Sequence, residues 1–177
     1  KKEQLNLSTE DAKLLEDLYE SFKANGATLN KDDKEKYRKL SMDLSMLTLQ
    51  FDQNALKDKN RFELLITDEN ELSGLPESAR DAAAMLAKSK DKDGWLFNLS
   101  APSYIPFMRY SDKRDLREKM YREYMSVGNK GDEFDNKDII KKIVNIRLEI
   151  AQLMGFKNYA EYALEHTMAK NSANVYK

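Results

Sequence analysis

Few residues of this 177-residue chain could perform metal-assisted or nucleophilic chemistry, because it contains one histidine, His166, and no cysteine. Hydrolysis at a zinc ion requires two or three closely spaced ligands and a general base, so one imidazole cannot build a His-Glu-x-x-His site. A catalytic triad needs its histidine beside a nucleophile, and no such pattern surrounds His166. We therefore expect His166 at a helix surface or a helix boundary, and we predict no catalytic, cofactor-binding or metal-ligating residue in this chain.

A glycine-framed acidic loop, Gly128–Asn136, is the next candidate for a ligand site. It lacks the Gly-Lys-Ser/Thr ending of a phosphate-binding loop and follows a predicted helix rather than a strand. Asp132, Glu133 and Asp135 suggest a calcium loop, but their spacing does not fit an EF-hand. We expect instead that Asp135 or Asn136 caps the helix that follows.

A cluster of aromatic residues forms a third candidate, since such side chains can line a peptide groove. Core packing is their more common fate, and the residues alone leave both alternatives open. The cluster consists of Trp95, Phe97, Tyr104, Phe107 and Tyr110.

The charge balance argues against two classes of partner. Thirty basic and thirty-one acidic residues give a net charge of -1, whereas nucleic-acid and membrane surfaces attract a concentrated basic face. No apolar run approaches the roughly 20 residues that span a bilayer. The chain starts at Lys1 without a methionine, which suggests a processed or excised segment.

The elements that must position these residues are mostly helices. Hydrophobic spacing predicts a mainly α fold, a multi-helix bundle with a minor two-stranded β element. The predicted helices cover residues 5–25, 30–59, 76–88, 104–110, 112–126, 136–154 and 158–168. The segment 104–110 has an extended conformation as its alternative. The predicted strands, 62–67 and 95–99, are compatible with a crossover unit or with an antiparallel pair bridged by a helix.

Local signals mark the helix ends. Ser8 with Asp11, Asp112 with Asp115, and Asn158 with Glu161 are predicted to cap helices at their N-termini, as is Asn30. Gly26 and Gly155 are predicted to stop helices, with Phe156 folding back in a Schellman-type ending.

The long second helix carries two apolar stripes, which predicts a helix packed on both sides at the centre of the bundle. Coiled-coil dimerisation is the competing interpretation. One stripe contains Tyr37, Leu40, Leu44, Leu47 and Phe51; the other contains Met42, Met46, Leu49 and Leu56.

Several segments together resemble the thimet-oligopeptidase family of zinc metallopeptidases. The main ones are Gly128-Asn129-Lys130-Gly131-Asp132-Glu133-Phe134-Asp135-Asn136 and Leu153-Met154-Gly155-Phe156-Lys157-Asn158-Tyr159-Ala160-Glu161-Tyr162. Further similarity lies in Phe22–Leu29, Leu72–Glu77, Leu116–Tyr124, Ile143–Leu148 and Met168–Lys170. The glycine-rich loop is more similar to the bacterial peptidyl-dipeptidase (dipeptidyl carboxypeptidase) branch than to the oligopeptidase A branch.

The resemblance implies a mostly helical parent protein with two halves around a deep, narrow channel. It implies that residues 1–177 are a single helical segment of the non-catalytic half and that the catalytic zinc module lies downstream. No catalytic or zinc-binding residue of the family maps onto this chain. The expected parent uses zinc to release C-terminal dipeptides from short peptides, while this segment is an inactive scaffold and channel wall.

The alternative is a stand-alone helical protein-interaction module. For the parent we expect a cytoplasmic location, with the periplasm as the alternative. For the segment alone we expect self-association through apolar faces exposed around Phe107, Tyr110 and the last helix.

Overall fold

The structure is a computed structural model that describes residues 7–177. Its fold is mainly α with one small two-stranded sheet, which confirms the predicted fold class. No helix within residues 7–177 combines the length and the apolar character that crossing a membrane requires. In chain order the elements are α1 Thr9–Ala24, α2 Lys31–Arg61, β1 Leu64–Ile66, α3 Glu77–Lys88, β2 Trp95–Phe97, α4 Ala101–Tyr110, α5 Arg114–Met125, α6 Lys137–Leu153, α7 Tyr159–Leu164 and α8 Ser172–Val175.

The predicted caps form at four helix ends. The Ser8 Oγ accepts the Asp11 N–H at 3.1 Å, and the Asn30 Oδ1 accepts the Asp33 N–H at 2.9 Å. The Asn158 Oδ1 accepts the Glu161 N–H at 3.0 Å. At the end of α6 the Phe156 N–H donates to the Ala151 carbonyl at 2.8 Å, which confirms the Schellman ending.

The first compact unit contains residues 7–48 together with Lys141–Lys177. Its buried hydrophobic residues are Leu40, Ile143, Ile150 and Ala151. The Tyr162 hydroxyl donates to the Ala24 carbonyl at 2.9 Å, so a side chain near the C-terminus fixes the end of α1. Burial, followed by the neighbouring Tyr37, raises the pKa of Tyr162 to about 12.

The second compact unit contains Leu49–Ile140. Its core lies between the small sheet and helices α3 to α5. The buried members are Leu64, Ile66, Leu72, Leu75, Ala83, Phe97, Leu99, Phe107 and Met120. The two strands are antiparallel, with Leu64 opposite Phe97 and Ile66 opposite Trp95, which excludes the crossover alternative. Each strand has only three residues, fewer than predicted.

Two local predictions were wrong. Asp112 does not cap α5, whose N-cap is Lys113, because the Asp112 carboxylate accepts the Ser73 hydroxyl at 2.7 Å instead. The helix predicted for residues 158–168 ends at Leu164, and Met168 is fully exposed. Residues 5 and 6 of the first predicted helix lie outside the described residues.

The second stripe of α2 is also not packed as predicted. Its four members, Met42, Met46, Leu49 and Leu56, are each more than half exposed. The segment 104–110 forms part of α4, so the helical alternative is confirmed there.

Candidate functional site

The acidic loop is attached to α2 through a fully buried carboxylate. Asp58 accepts three hydrogen bonds: from the Gly128 N–H at 2.7 Å, from the Arg61 Nε at 2.7 Å and from the Lys130 Nζ at 3.2 Å. A buried carboxylate is stable only when such partners replace its water. Asp58 therefore fixes the beginning of the loop against the helix.

Two further charge pairs extend this attachment. Arg61 forms an ion pair with Asp132, and that hydrogen bond holds the pKa of Asp132 below its ordinary value. The Lys130 Nζ also lies 2.7 Å from the Glu123 Oε2 at the end of α5. The cations of the loop are therefore used inside the protein, which leaves no phosphate cradle.

The two residues proposed to cap α6 have different roles. The Asp135 carboxylate accepts the N–H groups of Lys137 at 2.9 Å and Gly131 at 2.6 Å, which confirms it as the capping side chain. These bonds, the one from Lys137 first, hold the pKa of Asp135 below its ordinary value. The Asn136 side chain instead donates to the Phe51 carbonyl at 3.0 Å and accepts from the Asn54 Nδ2 at 3.1 Å.

Within the described residues the candidate ligands do not gather into a cluster that could hold a metal ion. His166 is half exposed, and its Nε2 lies 3.4 Å from the Glu165 Oε2 beside it. In residues 7–177 no group of three or more histidine, cysteine, aspartate or glutamate residues is placed to hold a metal ion. The loop does not present a calcium site either, because Asp132 is engaged by Arg61 and Asp135 by backbone N–H groups.

The aromatic cluster divides between core and surface. Phe97 and Phe107 are buried and contact each other edge to face at 4.8 Å between ring centroids. Tyr104 stacks on Tyr124 at 4.2 Å. Tyr110 is the one exposed member of the cluster, so a continuous aromatic groove is not formed. Phe107 itself is buried, but its neighbours Ile105 and Tyr110 are exposed, so apolar surface is present beside it as expected.

One site escaped the sequence prediction. A cavity of about 780 Å³ lies at the turn between the 3₁₀ segment Glu69–Leu72 and α3. The signal that could have indicated it is the Leu72–Glu77 motif, whose glycine adopts a φ of +84°.

This geometry lies partly within a region that is similar to a known protein family. Residues 107–177 match the model of peptidase family M3, and this region includes the anchored loop and the hairpin of α6 and α7. Oligopeptidase A of Salmonella typhimurium is 38% identical over 173 residues, which are 96% of this chain and 25% of that protein.

Two other relatives show the same coverage. The probable cytosolic oligopeptidase A of Arabidopsis thaliana is 39% identical over 93% of this chain and 24% of its own length. The dipeptidyl carboxypeptidase of Escherichia coli is 32% identical over 96% of this chain and 25% of its own length. The chain thus spans about a quarter of the length of these relatives. The matches support a relationship to family M3, and the higher identities favour oligopeptidase A over the peptidyl-dipeptidase branch.

Proposed function

We propose that this chain is a segment of an M3-type metallopeptidase that hydrolyses short peptides. The observation that carries the proposal is the 38% identity that continues over 96% of the chain. In this proposal the parent protein holds zinc in residues that this chain does not contain. The segment itself is inactive, and it serves as scaffold and as part of the wall that restricts the channel to short, unfolded peptides.

The anchored loop supports a scaffold role. Asp132, Asp135, Asn136 and Lys130 have their polar groups engaged by other parts of the protein, which ties the loop to α2, α5 and the start of α6. Such a network fixes the direction in which α6 leaves the loop. A rigid connection of this kind suits a wall that must keep its shape while peptides pass.

A separate question is whether the parent belongs to the oligopeptidase A branch or to the peptidyl-dipeptidase branch of the family. The loop sequence resembles the peptidyl-dipeptidases, whereas the identity over the full alignment is higher with the oligopeptidase A proteins. We favour cleavage of the oligopeptidase A type, because an alignment over 173 residues outweighs a nine-residue loop. Peptides with blocked C-termini separate the two, since a dipeptidyl carboxypeptidase acts from a free C-terminus.

A cytoplasmic location is part of the same proposal. It is supported by the relative named as a probable cytosolic oligopeptidase A. An organellar oligopeptidase A of Arabidopsis thaliana, 40% identical over 81% of this chain, shows that related sequences are named for more than one compartment. Fractionation of the source cells with an antibody against this segment tests the location.

The second candidate is a stand-alone helical interaction module. It is favoured by the apolar side chains that α2 exposes at Met42, Met46, Leu49 and Leu56. In the peptidase proposal these side chains contact the remainder of the parent, and in the isolated segment they promote self-association. Sedimentation velocity of the segment over a range of concentrations tests that association, and a clean monomer throughout would contradict it.

The decisive experiment compares the segment with its parent. We expect the reading frame to continue beyond Lys177 into a His-Glu-x-x-His motif, and we expect the parent to cleave a quenched fluorescent peptide until a chelator is added. The purified segment should show neither turnover nor bound zinc. A stop codon after Lys177 would remove the peptidase proposal, and chelator-sensitive turnover by the segment would refute its inactivity.

A further inference from the structure

The cavity at the Leu72–Glu77 motif has the composition of an anion site. Its volume of about 780 Å³ is in the range of small-ligand pockets. Its wall combines backbone, polar side chains and two cationic groups. The lining residues are Glu69, Asn70, Leu72, Ser73, Gly74, Leu75, Arg80 and Lys113.

A close backbone approach builds this wall. A Cβ placed on Gly74 would lie 2.1 Å from the Tyr110 carbonyl oxygen, so only glycine allows the turn to pack against the end of α4. The Asp112 N–H donates to the Ser73 carbonyl at 2.9 Å, and the Ser73 hydroxyl donates to the Asp112 carboxylate at 2.7 Å. The turn and the α4–α5 connection are thus held together, which places Lys113 beside the cavity.

Within residues 7–177, neither of the two cations at the cavity is paired with a carboxylate. The side chains of Arg80 and Lys113 are partly buried, and no hydrogen bond or ion pair is formed by either within the described residues. The Arg80 Nε is itself buried without an acceptor. A charged group that is partly removed from water and left unpaired favours a counter-ion.

Two helices begin beside residues that line the cavity, and each carries one acidic residue in its first turn, Glu77 in α3 and Asp115 in α5. Lys113 is the N-cap of α5 and Pro76 is the N-cap of α3, and neither helix start has a side-chain cap. The N–H groups at such ends carry partial positive charge. Among the lining residues Glu69 alone is acidic, and the nearby Asp112 carboxylate is engaged by Ser73.

We propose that this cavity binds a small oxyanion, with Arg80 and Lys113 as the charged ligands. The shared chemistry is a carboxylate or phosphate group, supplied either by the C-terminus of a peptide or by a free inorganic anion. The site requires no catalytic step and is independent of the proposed peptidase function.

The test is an NMR titration of the ¹⁵N-labelled chain, followed through the backbone amides of Gly74 and Lys113. Inorganic phosphate is one probe; acetyl-alanyl-alanine is the other, with its C-terminal amide as the uncharged control. We expect saturable shifts with at least one charged probe and none with the amide. Saturation by phosphate alone indicates an inorganic ligand, and saturation by the free peptide indicates a C-terminal carboxylate.

Matched variants identify the ligands. Arg80→Gln and Lys113→Met should each weaken binding by about tenfold, the effect of losing one charge-assisted hydrogen bond. Lys119→Met removes an exposed lysine of the same helix α5 and should leave the affinity unchanged. Glu69→Gln should tighten binding, because it removes the only acidic group of the lining.

Two results would overturn the proposal. One is the absence of saturable shifts with both charged probes. The other is binding that Arg80→Gln and Lys113→Met weaken no more than Lys119→Met does. The amide spectrum of each variant shows whether the fold is retained, and the two single variants remove the charges independently, so one of them remains informative if the other unfolds.

Discussion

Replacement of Asp58 by alanine should release the acidic loop from α2. Asp58 is fully buried, and its carboxylate is the acceptor that the structure provides for the Gly128 N–H. The variant leaves this buried donor without its charged partner and also removes one partner each from Arg61 and Lys130. We therefore expect a large loss of stability from a single side chain.

The magnitude follows from the burial of each partner. An unsatisfied buried N–H costs roughly 1–3 kcal/mol. Arg61 is 38% exposed and keeps Asp132, while Lys130 is 21% exposed and keeps Glu123, so each lost ion pair adds at most about 1 kcal/mol. The sum is about 1–5 kcal/mol, to be compared with the roughly 5–15 kcal/mol that stabilises a typical domain.

Urea unfolding followed by circular dichroism measures the loss, and hydrogen exchange of the Gly128 amide locates it. Asp52→Ala is the matched control, because Asp52 is an exposed residue of the same helix. The control should change stability by no more than about 0.5 kcal/mol. A loss below about 1 kcal/mol in Asp58→Ala, or a Gly128 amide that stays protected, would refute the anchoring role.

Three further predictions concern backbone strain and alkaline pH. Gly74→Ala should destabilise far more than Gly155→Ala in urea unfolding: both positions have a positive φ, but an added Cβ at Gly155 meets no atom within 4 Å, whereas at Gly74 it overlaps the Tyr110 carbonyl. Equal losses of unfolding free energy in the two glycine variants would contradict this steric reasoning. Asp91→Gly should raise the free energy of unfolding by about 0.5 kcal/mol, since Asp91 adopts a φ of +53° after α3. A lower free energy of unfolding would count against backbone strain at this position. The raised pKa of Tyr162 means that its stabilising contribution is fully present below pH 10.0 and is lost as the pH rises through about 12. Tyr162→Phe should therefore reduce the fall in unfolding free energy between pH 10.0 and about pH 12. If the unfolding free energy of the variant and of the unaltered protein falls equally steeply with pH, Tyr162 makes no such contribution.

Much of the fold could be predicted because its signals are local. Helix caps such as Ser8, Asn30 and Asn158 act within three residues, and the Gly155 stop requires only the residues beside it. Hydrophobic spacing is equally local, so α1 to α7 and the two short strands overlap the predicted elements, whereas the short helix α8 was not predicted. Asp112 misled the prediction because its preferred partner, Ser73, lies 39 residues earlier in the chain.

The anchor of the loop could not be predicted from local patterns. Its partners are separated by 70 residues for Asp58 and Gly128 and by 82 residues for Asn54 and Asn136. One signal was nevertheless present. The spacing of three and four residues that connects Leu40 to Phe51 continues to Asn54 and Asp58, so the inner stripe of α2 ends in two polar residues. Polar groups on a buried face indicate a specific partner elsewhere in the chain.

The same long sequence separation affects when the loop becomes attached to α2 during folding. Closing 70 residues costs chain entropy before any contact is gained, whereas the helices need only neighbouring residues. The contacts of Asp58 and Asn136 should therefore form late and mainly slow unfolding rather than accelerate folding. They also bring together residues 51–61 and 128–136, close to the two ends of the Leu49–Ile140 unit. The two ends of this unit are thus held together by contacts of its own, an arrangement that is common in compact domains.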